Sequence, residues 1–255
     1  MRGIRLLGFT MLTALVASPA AAKTPDGWEY IGTDSNVTLY RKNVEGSDMF
    51  AFRGITYADV HIGKLYEVLR DPDQRADWVD RYEDGGTLKM MDDGQEYWIH
   101  FGLPWPVADR DYVLRSKSKL LPDRRTLVVN INSFEHPKRP PNDCCVRALA
   151  KRTYYEFTAI PGEERTKLVV EVHTDPRGSL PSWLVNIIQK KWPSKTLSGL
   201  IAQTKKSNPK PNVAMKDWHD KSVAAAEPAP EPTTPEAPET EATPEAEAPE
   251  GESTP

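Results

Sequence analysis

Cysteine is scarce in this chain of 255 residues, and its two copies are adjacent, at Cys144 and Cys145. Neighbouring Cα atoms lie about 3.8 Å apart, whereas ordinary disulfides join Cα atoms about 4.4–6.8 Å apart. A bridge between the two would therefore be strained, and we expect two unbridged thiols at the start of a strand. A redox switch or a metal pair is the alternative, although no residue nearby has the spacing of a further metal ligand.

The sequence also lacks the motifs of common catalytic and cofactor sites. It has five histidines, and no two of them have the HExxH spacing of a zinc-binding helix. It has no Gly-rich phosphate loop and no Gly-x-Ser-x-Gly elbow. His100 and His173 fall within strand-like segments, where a histidine is more often a core or edge residue than a catalytic base. We therefore expect no catalytic residue, no metal and no cofactor.

Neither sign of charge dominates the chain, which has 33 basic and 37 acidic residues and a net charge of −4. The acid is concentrated near the end, where residues 222–255 contain nine Glu and no Lys, Arg or Asp. Residues 23–221 then hold 31 basic and 28 acidic residues, a net charge of +3. Because this region lacks the dense basic stripe of a nucleic-acid binder, nucleic acid is not an expected partner.

The apolar run from Leu6 to Ala17 is too short to span a bilayer, which takes about 20 such residues. It follows two arginines and precedes a run of small residues that ends at Ala22. This order is typical of a secretory signal peptide, so we predict one at residues 1–22 and a periplasmic or secreted protein. A membrane anchor is the alternative.

Residues 224–255 consist mainly of Ala, Glu, Pro and Thr. Such a segment cannot bury enough apolar surface to offset its ordering entropy, so we predict a disordered tail over residues 209–255. A spacer through the periplasm is the alternative to a merely solvating tail, because Pro-rich segments are semi-extended. The folded domain is then expected over residues 23–208.

Strand patterning dominates that domain, with helices in two places. Apolar residues at Ile62, Leu65, Tyr66 and Leu69 have helical spacing, and a second short helix is expected over residues 73–82. A final helix is predicted over residues 181–205. Strands are expected at 28–33, 37–44, 49–57, 86–91, 95–103, 111–121, 125–134, 145–152, 154–160 and 167–174. Short turns between sequential strands favour antiparallel pairing, so we predict an α+β fold and exclude a doubly wound parallel sheet.

Two segments resemble the START family, the lipid-transfer domains related to the steroidogenic acute regulatory protein. Residues 104–113 (PWPVADRDYV) form a proline-rich turn between two strands and are similar to the family's strand-turn-strand signature. The last helix, with Pro181, Trp183 and Pro193, resembles the family's C-terminal helix. The resemblance covers roughly residues 26–206 and implies a helix-grip fold, in which a curved antiparallel sheet wraps around a long C-terminal helix. Pro193 is expected to kink that helix.

Alternation along the two strands selects the residues that face the helix. The uncharged sets are the better candidates: Tyr97, Ile99 and Phe101 on the first strand, and Tyr112, Leu114 and Ser116 on the second. From the residues alone, these side chains and Leu184, Ile187 and Ile188 on the helix fill a core or line a cavity about equally well. The resemblance favours a cavity that binds a lipid.

Several START proteins resemble one another in an inward acid and arginine that orient the polar end of the ligand. Glu96 and Arg115 have the corresponding residue types. Arg115 falls one position short of the usual arginine, however, and Ser116 takes that position. Since one step along a strand reverses the face, an exposed cross-strand ion pair is the alternative interpretation.

The resemblance implies a non-enzymatic monomer that binds and transfers a phospholipid or sterol and touches a membrane surface transiently. One alternative is a helix-grip enzyme, with Asp59 or Asp77 and His100 as acid and base. Another is an interaction module whose tail recruits a partner.

Overall fold

The computed structural model describes residues 26–121, 125–178, 180, 182–212 and 215, without the side chains of Ser182, Trp183, Leu184 and Ile187. The predicted signal peptide and most of the predicted tail lie outside these residues. The strands are β1 Glu29–Asp34, β2 Val37–Lys42, β3 Ala51–Ala58, β4 Tyr82–Met91, β5 Gly94–Phe101, β6 Arg110–Leu121, β7 Thr126–Ser133, β8 Val146–Arg147, β9 Leu149–Ala159 and β10 Thr166–Asp175. The helices are α1 Ile62–Arg70, α2 Arg75–Trp78 and α3 Ser182–Ser207. No helix within the described residues is both long and apolar enough to cross a bilayer.

The strands form one sheet in the order β1-β2-β3-β10-β9-β7-β6-β5-β4. Every pair along this path is antiparallel, and β8 adds a short parallel pair with β6. The last strand, β10, pairs with β3 near the beginning of the chain, while α1 and α2 connect β3 to the opposite edge at β4. The predicted helix-grip architecture, a large antiparallel sheet with a C-terminal helix, is confirmed.

Helix α1 follows the predicted apolar spacing, since Ile62, Leu65, Tyr66 and Leu69 are all buried. Its first turn is capped by His61, whose Nδ1 accepts the Gly63 N–H at 2.9 Å. A side-chain acceptor at this position satisfies one of the backbone donors that the first helical turn leaves free. The second helix is shorter than expected and holds only four residues.

Helix α3 packs against β2, β3, β10 and the two short helices. It continues across Pro193, so the proline does not end the helix, and the expected kink stays a prediction. A Cβ atom built at Gly54 on β3 would lie 2.8 Å from the Pro193 Cβ atom. The absence of a side chain at Gly54 therefore lets the helix approach the sheet closely at this point.

Two local predictions were wrong between residues 144 and 160. The expected break between two strands is absent, because Thr153 continues the inward alternation of one long strand, β9. Cys144 and Cys145 are bridged, with Cα atoms 3.8 Å apart. Unbridged thiols were expected because neighbouring Cα atoms lie closer together than those of ordinary disulfides. The pair lies in a turn before β8.

The packed part of the chain continues past the end of α3. The Lys64 Nζ donates to Asn208 Oδ1 at 2.8 Å, and the Asn212 Nδ2 donates to Glu67 Oε1 at 2.8 Å. Met215 is buried in the core. Asn212 and Met215, which follow the predicted end of the domain at residue 208, therefore pack against the folded part, and the domain boundary stays a prediction.

Candidate functional site

A cavity of about 440 Å³ lies between the sheet and the N-terminal half of α3. Its walls come from five strands and all three helices, and most of the wall is apolar. Besides the residues named by the sequence, it is lined by Val129, Ile131, Tyr155, Val172, Val185 and Trp192. The size lies in the range of about 300–1,000 Å³ that small-molecule sites occupy, and an apolar wall with few polar groups is typical of such sites.

The two strands predicted to face the helix do so. Tyr97, Ile99 and Phe101 on β5, and Tyr112, Leu114 and Ser116 on β6, all lie on the cavity wall. They meet across the strand pair, where Tyr97 is opposite Leu114 and Ile99 is opposite Tyr112. Ile188 lines the cavity from α3, whereas the side chains of Leu184 and Ile187 lie outside the described part of the structure. Contact of these residues with a ligand stays a prediction.

Glu96 and Arg115 do not line the cavity, since strand alternation turns them to the other face of the sheet. Arg115 Nε donates to Glu96 Oε1 at 2.9 Å, and the guanidinium lies 4.2 Å from the centre of the Phe134 ring. His136 Nε2 lies 3.9 Å from the second carboxylate oxygen of Glu96. The two residues form a cross-strand ion pair, as in the alternative interpretation, but the pair is only partly exposed because Glu96 is buried. It is not placed to orient a ligand in the cavity.

Arg75 is a buried charged group in the cavity wall that sequence patterning missed. It is buried on the four-residue helix α2, and it donates to Gln95 Oε1 at 2.6 Å. Its guanidinium lies 4.1 Å from the centre of the Tyr97 ring. No carboxylate of the described residues lies within ion-pair distance, and burial lowers the pKa of the guanidinium. A buried cation without a counter-charge favours an anionic guest.

A second donor adjoins it. Trp78 also lines the cavity from α2, and its buried indole N–H has no acceptor among the described residues. Buried donors are nearly always paired in folded proteins, so an unpaired one on a cavity wall indicates a place for an acceptor. Arg75 and Trp78 thus make one end of the cavity rich in donors. Sequence patterning predicted a short helix over residues 73–82 and did not reveal this role for Arg75 and Trp78.

A second set of polar side chains lies toward the end of the cavity opposite Arg75. Gln189 on α3 donates through Nε2 to Thr174 Oγ1 at 2.6 Å, and Thr174 and Tyr112 line the same cavity. Burial raises the pKa of Tyr112 to about 12, so its hydroxyl stays protonated at neutral pH. Sequence analysis named Tyr112 but not Thr174 or Gln189.

Loops as well as strands reach the cavity. Leu103 lines it from the proline-rich turn after β5, and Leu180 lines it from the segment before α3. Two residues beyond Leu103, Trp105 is 92% exposed. Lys195 on α3 pairs with Asp80 after α2 at 2.9 Å. An exposed aromatic side chain therefore stands beside the loop end of the cavity.

The structure does not bring together His100, Asp59 and Asp77, the acid and base residues of the enzyme alternative. His100 pairs with Asp109 at 2.9 Å, Asp77 accepts a bond from Gln203 at 3.3 Å, and Asp59 lies 3.6 Å from Arg165. None of His100, Asp77 and Asp59 lines the cavity. Arg110 does line it, but its guanidinium donates to the carbonyls of Ala108, Pro176 and Arg177, so it ties the turn before β6 to the segment before α3.

The family model described as the START domain matches residues 12–209. This chain belongs to the START-domain family. Among curated proteins, this START domain is 27% identical over 208 residues to an uncharacterized Pseudomonas aeruginosa protein, covering 81% of this chain and 100% of that one. It is 27% identical over 170 residues to phosphatidylcholine transfer protein of Mus musculus, covering 65% of this chain and 78% of that protein.

A third relative is longer. START domain-containing protein 10 of Mus musculus is 32% identical over 133 residues, which cover 50% of this chain and 43% of that protein. The match therefore spans less than half the length of START domain-containing protein 10.

Solved structures share the fold. The STAR-related lipid transfer protein of Xanthomonas axonopodis (fragment 25–204) has a TM-score of 0.62 and 27% identity, covering 71% of this chain and 99% of that one. Human StAR-related lipid transfer protein 5 has a TM-score of 0.66 and covers 73% of this chain and 90% of that one. At 18% identity, the second likeness shows the fold alone.

Proposed function

We propose that this START domain binds one lipid molecule non-covalently in its cavity and transfers it between membranes. The observation that carries the proposal is an apolar cavity whose wall includes a buried arginine, Arg75, that lies within ion-pair distance of no carboxylate of the described residues. Burial of hydrocarbon contributes about 25 cal/mol per Å² of apolar area, so an acyl chain along β5 and β6 supplies the affinity. Two relatives are named phosphatidylcholine transfer protein and STAR-related lipid transfer protein, and these names support a lipid as the cargo.

A phospholipid matches the charge and the hydrogen-bond donors of the cavity wall better than a sterol does. A phosphate accepts hydrogen bonds from the Arg75 guanidinium and from the Trp78 indole, and its charge offsets that of the arginine. The hydroxyl of a sterol would leave the buried cation without a counter-charge. The phosphate therefore lies beside α2, with the chains running between the sheet and α3.

The loop end of the cavity is the side that meets the membrane. Trp105 is an exposed aromatic residue, and Lys190 and Lys191 are exposed on α3. Tryptophan favours the interfacial region of a bilayer. Lysines near an anionic surface add attraction that falls with salt. The protein acts as a monomer that visits the bilayer and leaves with its cargo.

The compartment lies outside the cytoplasm in this proposal. The basic start, short apolar core and small-residue end of residues 1–22 support export through a cleaved signal peptide. Fractionation of the source cells tests it, with amino-terminal sequencing of the mature protein. A chain that keeps residues 1–22 and stays in the cytoplasm contradicts export without affecting lipid binding.

The protein acts as a carrier and not as a catalyst. His100, Asp59 and Asp77, the residues that an acid–base mechanism would use, all lie away from the cavity wall. A carrier returns its lipid with unchanged mass. Conversion of the bound lipid to a product during incubation would indicate an enzyme.

The decisive experiment is uptake of lipid from vesicles. The purified protein is mixed with phosphatidylcholine vesicles or with vesicles that also contain cholesterol, separated from them and analysed by native mass spectrometry. We expect one phospholipid per protein and no sterol. Spectra that remain free of lipid after uptake and after purification from the source would overturn the proposal.

Two matched variants locate the guest. Ala150 lines the cavity from β9, whereas the next residue, Lys151, is exposed on the other face of the strand. Ala150→Phe places a ring in the cavity and is expected to reduce uptake, while Lys151→Phe is expected to leave it. Thermal unfolding shows that each variant is folded before uptake is compared. Equal uptake by both variants would place the lipid elsewhere.

A further inference from the structure

The side chain of Gln189 is buried, with 8% of the residue exposed, and it lines the cavity from α3. Its Nε2 donates to Thr174 on β10, which fixes the direction of the amide. The carbonyl oxygen, Oε1, is buried and has no donor among the described residues. An unpaired buried acceptor costs free energy unless a guest supplies a hydrogen.

The hydroxyls of Thr174 and Tyr112 supply a hydrogen-bond donor beside the free acceptor of Gln189. Thr174 and Tyr112 each carry one O–H hydrogen on the cavity wall. The oxygen of Thr174 accepts the amide hydrogen of Gln189, which leaves the hydroxyl hydrogen of Thr174 itself to be donated. A hydroxyl hydrogen is thus available to a guest next to the free oxygen of Gln189. The cluster of Gln189, Thr174 and Tyr112 offers one acceptor and at least one donor.

This cluster lies away from Arg75. Arg75 is bonded to Gln95, which faces Ser116 across the strand pair, whereas Tyr112 lies four residues farther along the same strand. Four residues of a strand span about 13 Å. The anionic headgroup and the group that meets Gln189 are therefore separate parts of one extended guest. Methylene groups neither donate nor accept, so a plain acyl chain leaves both halves of the cluster unused.

We propose that Gln189, Thr174 and Tyr112 form a second subsite that binds a hydroxyl group on the hydrocarbon chain of the lipid. The hydroxyl donates to Gln189 Oε1 and accepts a hydroxyl hydrogen from Thr174 or Tyr112. This subsite rests on the proposed function, because it refines which phospholipid is preferred. It predicts selection of a chain-hydroxylated phospholipid over its unmodified counterpart.

The test is a competition between two guests. Full-length protein is incubated with vesicles that contain equal amounts of two phosphatidylcholines, identical except for one hydroxyl midway along an octadecanoyl chain. The ratio of the two phosphatidylcholines bound to the protein is measured by native mass spectrometry. One net hydrogen bond is worth about 1 kcal/mol, so we expect about a fivefold preference for the hydroxylated lipid.

Two variants assign the preference to the cluster. Gln189→Leu removes the free oxygen and is expected to lower the ratio to about one. The matched control is Gln203→Leu, the same substitution on the same helix, at a buried glutamine that bonds Gln74 outside the cavity. This control is expected to retain the preference. Should Gln189→Leu fail to fold in thermal unfolding, Thr174→Val removes the hydroxyl that accepts from Gln189 and serves the same comparison.

The outcomes separate the two proposals. Uptake of both lipids by the wild type in equal amounts overturns the hydroxyl subsite and leaves lipid carriage standing, with a water molecule meeting Gln189. A preference that survives in Gln189→Leu also overturns the subsite. Uptake of neither lipid overturns the proposed function, and the subsite falls with it.

Discussion

The guanidinium of Arg75 lies 4.1 Å from the centre of the Tyr97 ring, and both side chains are buried on the cavity wall. The ring face attracts the cation, and Gln95 accepts one of its hydrogens. Neither partner cancels the charge. Burial lowers the pKa of Arg75 and raises the pKa of Tyr97, which shows the same low polarity acting on both groups. The remaining positive charge therefore favours an anion at this position.

Arg75→Met is expected to weaken phosphatidylcholine binding by about tenfold to a hundredfold, since hydrogen bonds to a charged group are worth about 1.5–3 kcal/mol. The free energy of unfolding of the empty protein should not fall much, because an apolar residue of similar length replaces a buried charge. Titration with a fluorescent phosphatidylcholine measures the first quantity, and urea unfolding measures the second. Arg115→Met, on the outer face of the same sheet, is the control. Equal affinity for both variants would remove Arg75 from the site.

Trp105→Ala is expected to reduce binding to anionic vesicles by roughly fivefold to thirtyfold, which corresponds to about 1–2 kcal/mol of aromatic burial at the bilayer interface. The side chain is 92% exposed, so its loss should leave the thermal midpoint almost unchanged. Co-sedimentation with vesicles measures the partition. Tyr57→Ala, at a half-exposed aromatic residue on β3, is the control and is expected to bind as the wild type does. Identical partition of the two variants would place the membrane contact elsewhere.

Local patterning was enough to predict the strand faces of the cavity. Tyr97, Ile99 and Phe101 form the alternate set without a charged residue, and the prolines at 104 and 106 end their strand, so both face and boundary are encoded within about ten residues. The same holds for the buried spacing of α1. Alternation also explains why Glu96 and Arg115 face away, although the family resemblance had suggested a ligand role for them.

The polar groups of the cavity depend on contacts between distant parts of the chain. Arg75 becomes part of the wall because α2 meets Gln95 on β5, and a charged residue on a four-residue helix carries no local sign of burial. Gln189 likewise acquires its role from Thr174 on β10. Helical periodicity selected the apolar residues of α3 and passed over the glutamine beside them.

Asp109 is expected to make the turn after β5 sensitive to acid. The Leu103 N–H and the His100 side chain bond its carboxylate at 2.8 and 2.9 Å and hold its pKa below the usual range. A carboxyl group whose pKa is lower in the folded state stabilises the fold fully above its unfolded pKa of about 3.9. That contribution is lost as pH falls through the folded pKa.

Asp109→Asn keeps an acceptor for Leu103 but removes the charge. The wild type should therefore unfold at a higher temperature than this variant near neutral pH, and the two midpoints should converge in acid below about pH 4. Circular dichroism melts across this pH range measure the difference. A gap between the two proteins that widens on acidification would show that the carboxylate does not stabilise the turn.

Gly199→Ala separates helix propensity from packing, because the two effects have opposite signs. Alanine in place of glycine within a helix stabilises by about 1 kcal/mol when nothing else changes. A Cβ atom at Gly199 would lie 2.5 Å from the backbone carbonyl oxygen of Trp78, so α2 would have to move away from α3. Overpacking of this kind costs about 1–3 kcal/mol, and we expect the free energy of unfolding to fall in urea titrations. Because Trp78 and Arg75 share α2, lipid affinity should fall as well. A stabilised variant with unchanged affinity would contradict both expectations, because it would mean that α2 can shift without disturbing the part of the cavity that Arg75 lines.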